Sequence, residues 1–257
     1  MNANLYKIMR YRLFIFGIFV ILTSCKKTDY KVKTIRAELI EINNQLPTDS
    51  SVVKLIEPYR VQMEDKINEV IAYTPITLTR KDGSLQSTLG NIYADICKIK
   101  ADLLFKKLSG KQIDMAFFNY GGVRQSIPKG NVTVSDIFKL MPFENKLIVV
   151  ELNGEKTREL FKYFEEKNQA HPFSGAEIIF KGKKIKDIKI NNEAFDIKKN
   201  YFVLTSDYLQ HGGDHMDFFK DPVKLYPLNY KVRDAILDYF KDKDTIKIQL
   251  DKRVIIE

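Results

Sequence analysis

Two histidines, His211 and His215, enclose Gly212, Gly213 and Asp214 in the stretch TSDYLQHGGDHMDFF, residues 205–219. Residues of these types at this spacing raise two chemistries. One is a zinc site of the helical kind, which needs both imidazoles on one helical face with a glutamate base between them. Paired glycines oppose a helix, and no glutamate lies between the histidines. The other is a glycine loop that presents Tyr208 and Asp214 to a sugar. An aspartate carboxylate accepts hydrogen bonds at both oxygens, which suits a vicinal diol.

A second stretch, NYGGVR, carries Asn119, Gly121, Gly122 and Arg124. Glycines there admit backbone angles closed to other residues and let a ligand come close. The planar fork of arginine suits an anion or a ribose oxygen. An ordinary glycine turn followed by a surface arginine fits the same residues. A third stretch, MPFENK, places Phe143 and Asn145 just after Pro142, so Phe143 falls on a loop. An aromatic there is satellite core unless a second ring faces it, and Tyr208 offers that ring. Two rings, a carboxylate and an arginine are what a nucleoside phosphate needs, since stacking contributes roughly 1–3 kcal/mol per base.

The elements that must position these groups follow from periodicity. QIDMAFF, residues 112–118, reads as a buried strand running into the glycine turn of NYGGVR. TVSDIFKLMPF is a short capped helix stopped by Pro142, and KLIVVEL is a strand. NGEKTRELFKYFEEK is a helix capped near Asn153, and NYFVLTSDYL is a strand that delivers Tyr208. Elsewhere, Val32, Ile35, Leu39, Ile42 and Leu46 predict an amphipathic helix over 32–46. A second helix is expected over 59–73 after Pro58, and a short strand in TPITLTR. STLGNIYADICKIKADLLFKKL and YKVRDAILDYFKD read as helices, AEIIFKGKKIKDIKI as a hairpin and DTIKIQL as a closing strand. Interleaved helices and strands give an α+β class with a mixed sheet packed by helices. The lysines of KGKKIKDIK alternate with isoleucine, which marks a solvated strand face; no nucleic-acid partner is expected, because aromatic interleaving is missing.

The chain has 257 residues, 44% hydrophobic, with a net charge of +9. That is enough for one core-bearing domain. Lys7, Arg10 and Arg12 precede an apolar run, Leu13 to Leu22, of ten residues. A membrane-crossing helix needs about 20, so the pattern is that of an export signal. Leu22-Thr23-Ser24-Cys25 resembles a bacterial lipoprotein box, in which Cys25 is the lipidated residue and the membrane attachment. The expected organisation is a signal peptide over 1–24, a tether with an amphipathic helix over 25–56, and a domain over 57–257, lipid-anchored in the cell envelope on its periplasmic or outer-membrane surface. Cleavage before Cys25 removes three cations and leaves +6, counting side chains only. With Cys25 lipidated, Cys97 stands alone, at a helical core position.

Taken together, the segments from about Glu57 to the C-terminus resemble the C-terminal, substrate-binding domain of the 5'-nucleotidase family. NYGGVR is similar to the family's Asn-x-Gly-Gly-x-Arg. MPFENKLIVVELNGEKTRELF is similar to its Pro-Phe-x-Asn, strand and Leu-x-Gly-x-x-Leu helix, and DYLQHGGDHMDFF to its Phe-Leu-x-x-Gly-Gly-Asp loop. STLGNIYAD and KVRDAILDYFK resemble its Leu-Gly-Asn helix and its last helix. The resemblance implies that Phe143 and Tyr208 sandwich a base, that Asn119 bonds the base, that Asp214 holds the ribose hydroxyls and that Arg124 serves the phosphate or ribose side. Gly121, Gly122, Asn145, Gly212 and Gly213 complete the implied substrate-binding set. It also implies that His211 and His215 are not metal ligands. Three departures stand out. Tyr208 replaces a frequent phenylalanine, Gln86 replaces an acidic residue, and the basic residue usual upstream is missing, so that Arg80 or Lys81 can substitute only if the loop bends.

The family's chemistry belongs to an N-terminal metallophosphatase domain with two metals. Residues 26–56 leave no room for one, and the chain has three histidines, His171, His211 and His215. No catalytic residue and no cofactor is therefore expected in this chain, and divalent metals are expected on a separate metallophosphoesterase subunit. The leading expectation is the nucleotide- or nucleoside-recognition half of a split 5'-nucleotidase, with segment 32–46 as a candidate docking element. The alternatives are a stand-alone nucleoside- or nucleotide-binding surface lipoprotein and a degenerate domain with a structural role.

Overall fold

The computed structural model describes residues 3–22, 31–43 and 46–257. In chain order the elements are helices α1 (Ala3–Leu22) and α2 (Ser50–Ile67), strand β1 (Val70–Thr74), α3 (Thr88–Ser109), β2 (Met115–Phe117), β3 (Gly130–Thr133) and α4 (Val134–Leu140). They continue with β4 (Lys146–Asn153), α5 (Gly154–Lys167), β5 (Phe173–Ser174), β6 (Ala176–Lys181), β7 (Lys184–Ile190) and β8 (Glu193–Ala194). Then follow β9 (Asn200–Ser206), α6 (Asp207–Gln210), β10 (Lys224–Lys231), α7 (Val232–Lys241) and β11 (Val254–Ile256). The class is α+β with mixed sheets. The chain divides into two units, Met1–Ser50 and Ser51–Glu257.

The centre of the second unit is a five-stranded sheet in the order β10-β4-β9-β2-β5. Its middle strands are buried almost throughout, as KLIVVELN and NYFVLTS lead one to expect of strands covered on both faces. β4 runs antiparallel to β9, and β2 runs parallel to β9. The C-terminal ends of β2 and β9 and the N-terminal start of β4 therefore lie at one edge of the sheet. α3 packs on β2, β5 and β10 and on α7, while α5 packs on β4 and β9. A four-stranded sheet, β11-β6-β7-β8, and the β1–β3 pair complete the unit.

Helix ends follow local chemistry. Ser87 caps α3 by accepting from the Gly90 N–H, and Asn153 caps α5 by accepting from Lys156. Thr133 and Asp136 form a reciprocal capping box on α4. Cys97 is buried, and burial pushes its thiol well above the ordinary range.

Several sequence expectations are corrected. Residues 31–43 form no regular element, and Val32, Ile35, Leu39 and Ile42 are exposed. A lone amphipathic segment of this length is marginal in water without a surface to pack on. The helix expected over 59–73 instead spans Ser50–Ile67 with Pro58 inside it, and VIAYT passes into β1 because β3 offers a partner ladder. Beyond Thr74 the expected strand in TPITLTR reduces to one bridge between Leu78 and Ile127, since Pro75 has no N–H to donate. DTIKIQL makes a single bridge to Tyr73, and Val254–Ile256 is the closing strand, parallel to β6. The lysines of β7 are ion-paired: Lys184 with Glu165, Lys186 with Glu257 and Lys189 with Glu177. Among the described residues no helix is long and apolar enough to cross a membrane. Cys25, the expected lipid-attachment residue, lies outside the described residues.

Candidate functional site

Three segments leave the sheet at its shared edge. β2 runs into Asn119 and a single 3-10 turn over Tyr120–Gly122. The loop before β4 carries Phe143 and Asn145. β9 ends at Ser206, whose side chain accepts from the Leu209 N–H and starts α6. Tyr208 thus stands on a short helix rather than at the end of a strand. The chain then reverses through Gly212, at φ 88°, and reaches Asp214, at φ 53°. Neighbouring strands lie about 4.8 Å apart, so three adjacent strands bring segments separated by almost a hundred residues within one ligand's width.

Asn119, Gly121, Gly122, Arg124, Phe143, Asn145, Tyr208 and Asp214 line one cavity of about 240 Å³. Phe143 is 39% exposed and Tyr208 45% exposed, so neither ring is buried in the core. The Arg124 guanidinium lies 5.9 Å from the Phe143 ring centre. Of the ten residues singled out from sequence, Gly212 and Gly213 stand behind this slot, in a polar groove that shares Gly121, Tyr208 and Asp214 with it. Close approach explains two glycines. A Cβ on Gly122 would lie 2.6 Å from Asn119 Oδ1, and one on Gly213 would lie 2.4 Å from the Tyr208 ring. Gly121 and Gly122 do not have positive φ, so space rather than backbone freedom selects glycine at 122.

The Asp214 carboxylate is the polar centre of the slot. Tyr208 donates its hydroxyl to Oδ1 at 2.9 Å, and the Asn119 amide donates to Oδ2 at 2.7 Å. Tyr163 on α5 donates to the Asp214 carbonyl at 3.0 Å and steadies its left-handed backbone. The hydrogen bond to Asp214 raises the Tyr208 pKa, and burial first, then Asp214, pushes Tyr163 up to about 12. Both phenols are therefore donors at ordinary pH.

Other side chains hold the segments from behind. The Tyr120 N–H donates to His171 Nδ1 at 3.1 Å, and burial lowers the His171 pKa to about 4. Arg80 donates to the carbonyls of Tyr120 and Val123, at 3.2 and 2.8 Å, with its guanidinium 4.4 Å from the Tyr120 ring centre. The loop before α3 does bend, then, but Arg80 is committed to the turn's carbonyls. Gln86 is buried, bonded to Asn91 and to the Asp251 carbonyl. Arg233, nearly buried, donates to the carbonyls of Met141 and Phe143 and to Glu144, and lies over the Phe138 ring. Lys231 and Arg233 together hold the Glu144 carboxyl at about 2. Residue spacing carries no sign of Tyr163, His171 or Arg233, since each acts across the sheet or from a distant helix.

His211 and His215 do not converge with other ligands. His211 Nδ1 sits 2.6 Å from the Asp207 carbonyl, and among the described residues no three His, Cys, Asp or Glu side chains are grouped to hold a metal. The arrangement can hold a flat ring beside a diol or other donor pair. The described residues offer no donor set fit for a two-metal centre.

Comparison with known proteins gives a consistent result. The family described as 5'-nucleotidase, C-terminal domain, matches residues 69–221. An apyrase of Tabanus yao is 23% identical over 240 residues, covering 84% of this chain and 43% of its own. The trifunctional nucleotide phosphoesterase protein YfkN of Bacillus subtilis is 28% identical over 193 residues, covering 68% of this chain and 13% of its own. The crystal structure of the 5'-nucleotidase precursor from Thermus thermophilus aligns with a TM-score of 0.66 at 22% identity, over 82% of this chain and 44% of that one. The chain thus spans less than half the length of these relatives.

Proposed function

Because the chain belongs to the family of 5'-nucleotidase C-terminal domains, we propose that it is the nucleotide- and nucleoside-recognition half of a split 5'-nucleotidase. A separate metallophosphoesterase subunit, carrying the divalent metals, performs the phosphate-ester hydrolysis. The observation that carries this reading is the convergence of Phe143, Tyr208, Asp214, Asn119 and Arg124 on one slot. The base stacks between Phe143 and Tyr208, and the ribose hydroxyls bond Asp214. Asn119 keeps one amide N–H for the base after donating to Asp214. Arg124 faces the phosphate side, and no residue of this chain is catalytic.

Two further observations support a half-site. The slot, about 240 Å³, is below the roughly 300–1,000 Å³ of a pocket that encloses a whole small ligand. It suits the nucleoside part and leaves the ester outside. In addition, α2 ends at Ile67, just before the family-matched region, and none of its residues is buried. Ile56, Tyr59 and Met63 recur along it at helical spacing and are exposed. That exposed face fits an apolar surface of the metallophosphoesterase partner. Export and lipidation at Cys25 place the chain in the cell envelope in this proposal.

The test mixes the purified chain with candidate metallophosphoesterases and measures phosphate release from AMP and UDP-glucose. A gain in rate or affinity with one partner supports the split enzyme, and no gain with any partner counts against it. A second reading, a stand-alone nucleoside-binding lipoprotein, draws on the two aromatic residues, the carboxylate, the amide and the arginine that line one cavity of this chain. Calorimetry separates the two: micromolar adenosine binding without rate enhancement by any partner favours the second. Arg233 gives a more local check. Arg233→Met keeps the volume but frees the Phe143 loop, and ordering one side chain anew costs about three- to tenfold in affinity. Adenosine titrations of the variant should show that weakening, with AMP and adenosine affected alike.

A further inference from the structure

We infer that the Tyr208 hydroxyl makes the slot tolerant of the sugar, so that 2'-deoxyribonucleosides are accepted nearly as well as ribonucleosides. This inference rests on the nucleoside reading of the slot and names its substrate class.

A carboxylate has room for about four hydrogen bonds, two at each oxygen. In this chain each oxygen of Asp214 already has a protein donor, Tyr208 on Oδ1 and the Asn119 amide on Oδ2. Two acceptor positions remain for a vicinal diol. Sites discriminate strongly against an analogue that lacks a hydroxyl when its loss leaves a buried polar group unpaired. Here a missing 2'-hydroxyl leaves neither oxygen without a partner, even after the ligand excludes water from the slot. The ring at 208 would stack equally well without its hydroxyl, so the phenol oxygen affects sugar choice separately from base affinity.

The geometry keeps this donor in place. The Tyr208 ring lies against Gly213, where a Cβ would sit 2.4 Å from Cε1, and Asp214 is held by the Tyr163 hydroxyl on its carbonyl. The phenol and the carboxylate are six residues apart in the chain, joined by a turn with Gly212 at φ 88° and Asp214 at φ 53°. Phenylalanine at 208 would leave Oδ1 to the ligand alone.

The test is calorimetric titration of the full chain and of Tyr208→Phe with adenosine, 2'-deoxyadenosine and 3'-deoxyadenosine. In the wild type the ribose-to-deoxyribose affinity ratio should stay within about threefold. In Tyr208→Phe it should widen to about tenfold or more, the low end for a hydrogen bond to a charged group. A merely structural role for Tyr208 would weaken all three ligands equally. Equal ratios in the two proteins, or a wild type that already rejects the deoxynucleosides, overturn the inference and leave the nucleoside slot standing. Failure of every ligand to bind the wild type overturns both.

Discussion

Replacing Phe143 and Tyr208 together with alanine should weaken adenosine binding by about 100-fold or more, and leave the fold unchanged. Removing a stacking side chain costs roughly 1–3 kcal/mol per base, and each 1.4 kcal/mol is a factor of about ten in affinity. In the proposed slot the two rings would take opposite faces of one base, so their effects couple and need not add. Both rings are exposed to more than a third of their surface. Surface changes of this kind usually stay within about 0.5 kcal/mol of the original stability. Calorimetry with adenosine and AMP gives the affinity, and a melting curve gives the control. Wild-type affinity in the double variant, with an unaltered melting curve, would remove the base slot from consideration.

A second large effect concerns acid. His171 is 3% exposed, stacked 5.5 Å from the Phe117 ring centre, with Nδ1 accepting the Tyr120 N–H. Burial holds its pKa at about 4, against 6.5 for the free side chain. Above pH 6.5 the imidazole is neutral in both the folded and unfolded chains, and its contribution does not vary with pH. Between pH 6.5 and 4 only the unfolded chain takes up the proton. Stability then falls by up to about 1.4 kcal/mol per pH unit, for a total on the order of 3 kcal/mol. Below pH 4 the loss levels off as the folded state is protonated too. Denaturant unfolding of the wild type and of His171→Gln from about pH 7 to 4 isolates this component. The wild type should lose on the order of 3 kcal/mol more than the variant across that window. Parallel pH profiles would contradict the assignment. The ring also holds the Tyr120 turn, so acid should loosen the Asn119 side of the slot before the sheet fails.

Most of the slot was readable because its residues are short-range signals. Gly-Gly pairs, a post-proline aromatic and a carboxylate just past a glycine turn each announce a loop that can meet a ligand. The near-continuous apolar runs of KLIVVELN and NYFVLTS mark central strands, and their pairing directions in the sheet set which loops leave the same edge. Long-range support was not readable. Tyr163 reaches the Asp214 carbonyl from α5, and Arg233 reaches the Phe143 carbonyl from α7, and neither spacing nor residue type marks those meetings. The helix expected over 32–46 failed for a different reason. Its apolar spacing is real, but spacing records what a helix would bury and not whether a surface is present to bury it. DTIKIQL failed likewise: alternation put Ile246 into the core, yet only one bridge formed, and pairing went to Val254–Ile256.

The common edge shared by β2, β4 and β9 bears on the speed of recognition. Segments rooted in three adjacent hydrogen-bonded strands are held in register by the sheet, so arrival should be governed by diffusion and orientation. Preferences among bases should then be expressed in how long each one stays, with nearly equal association rates and widely different residence times.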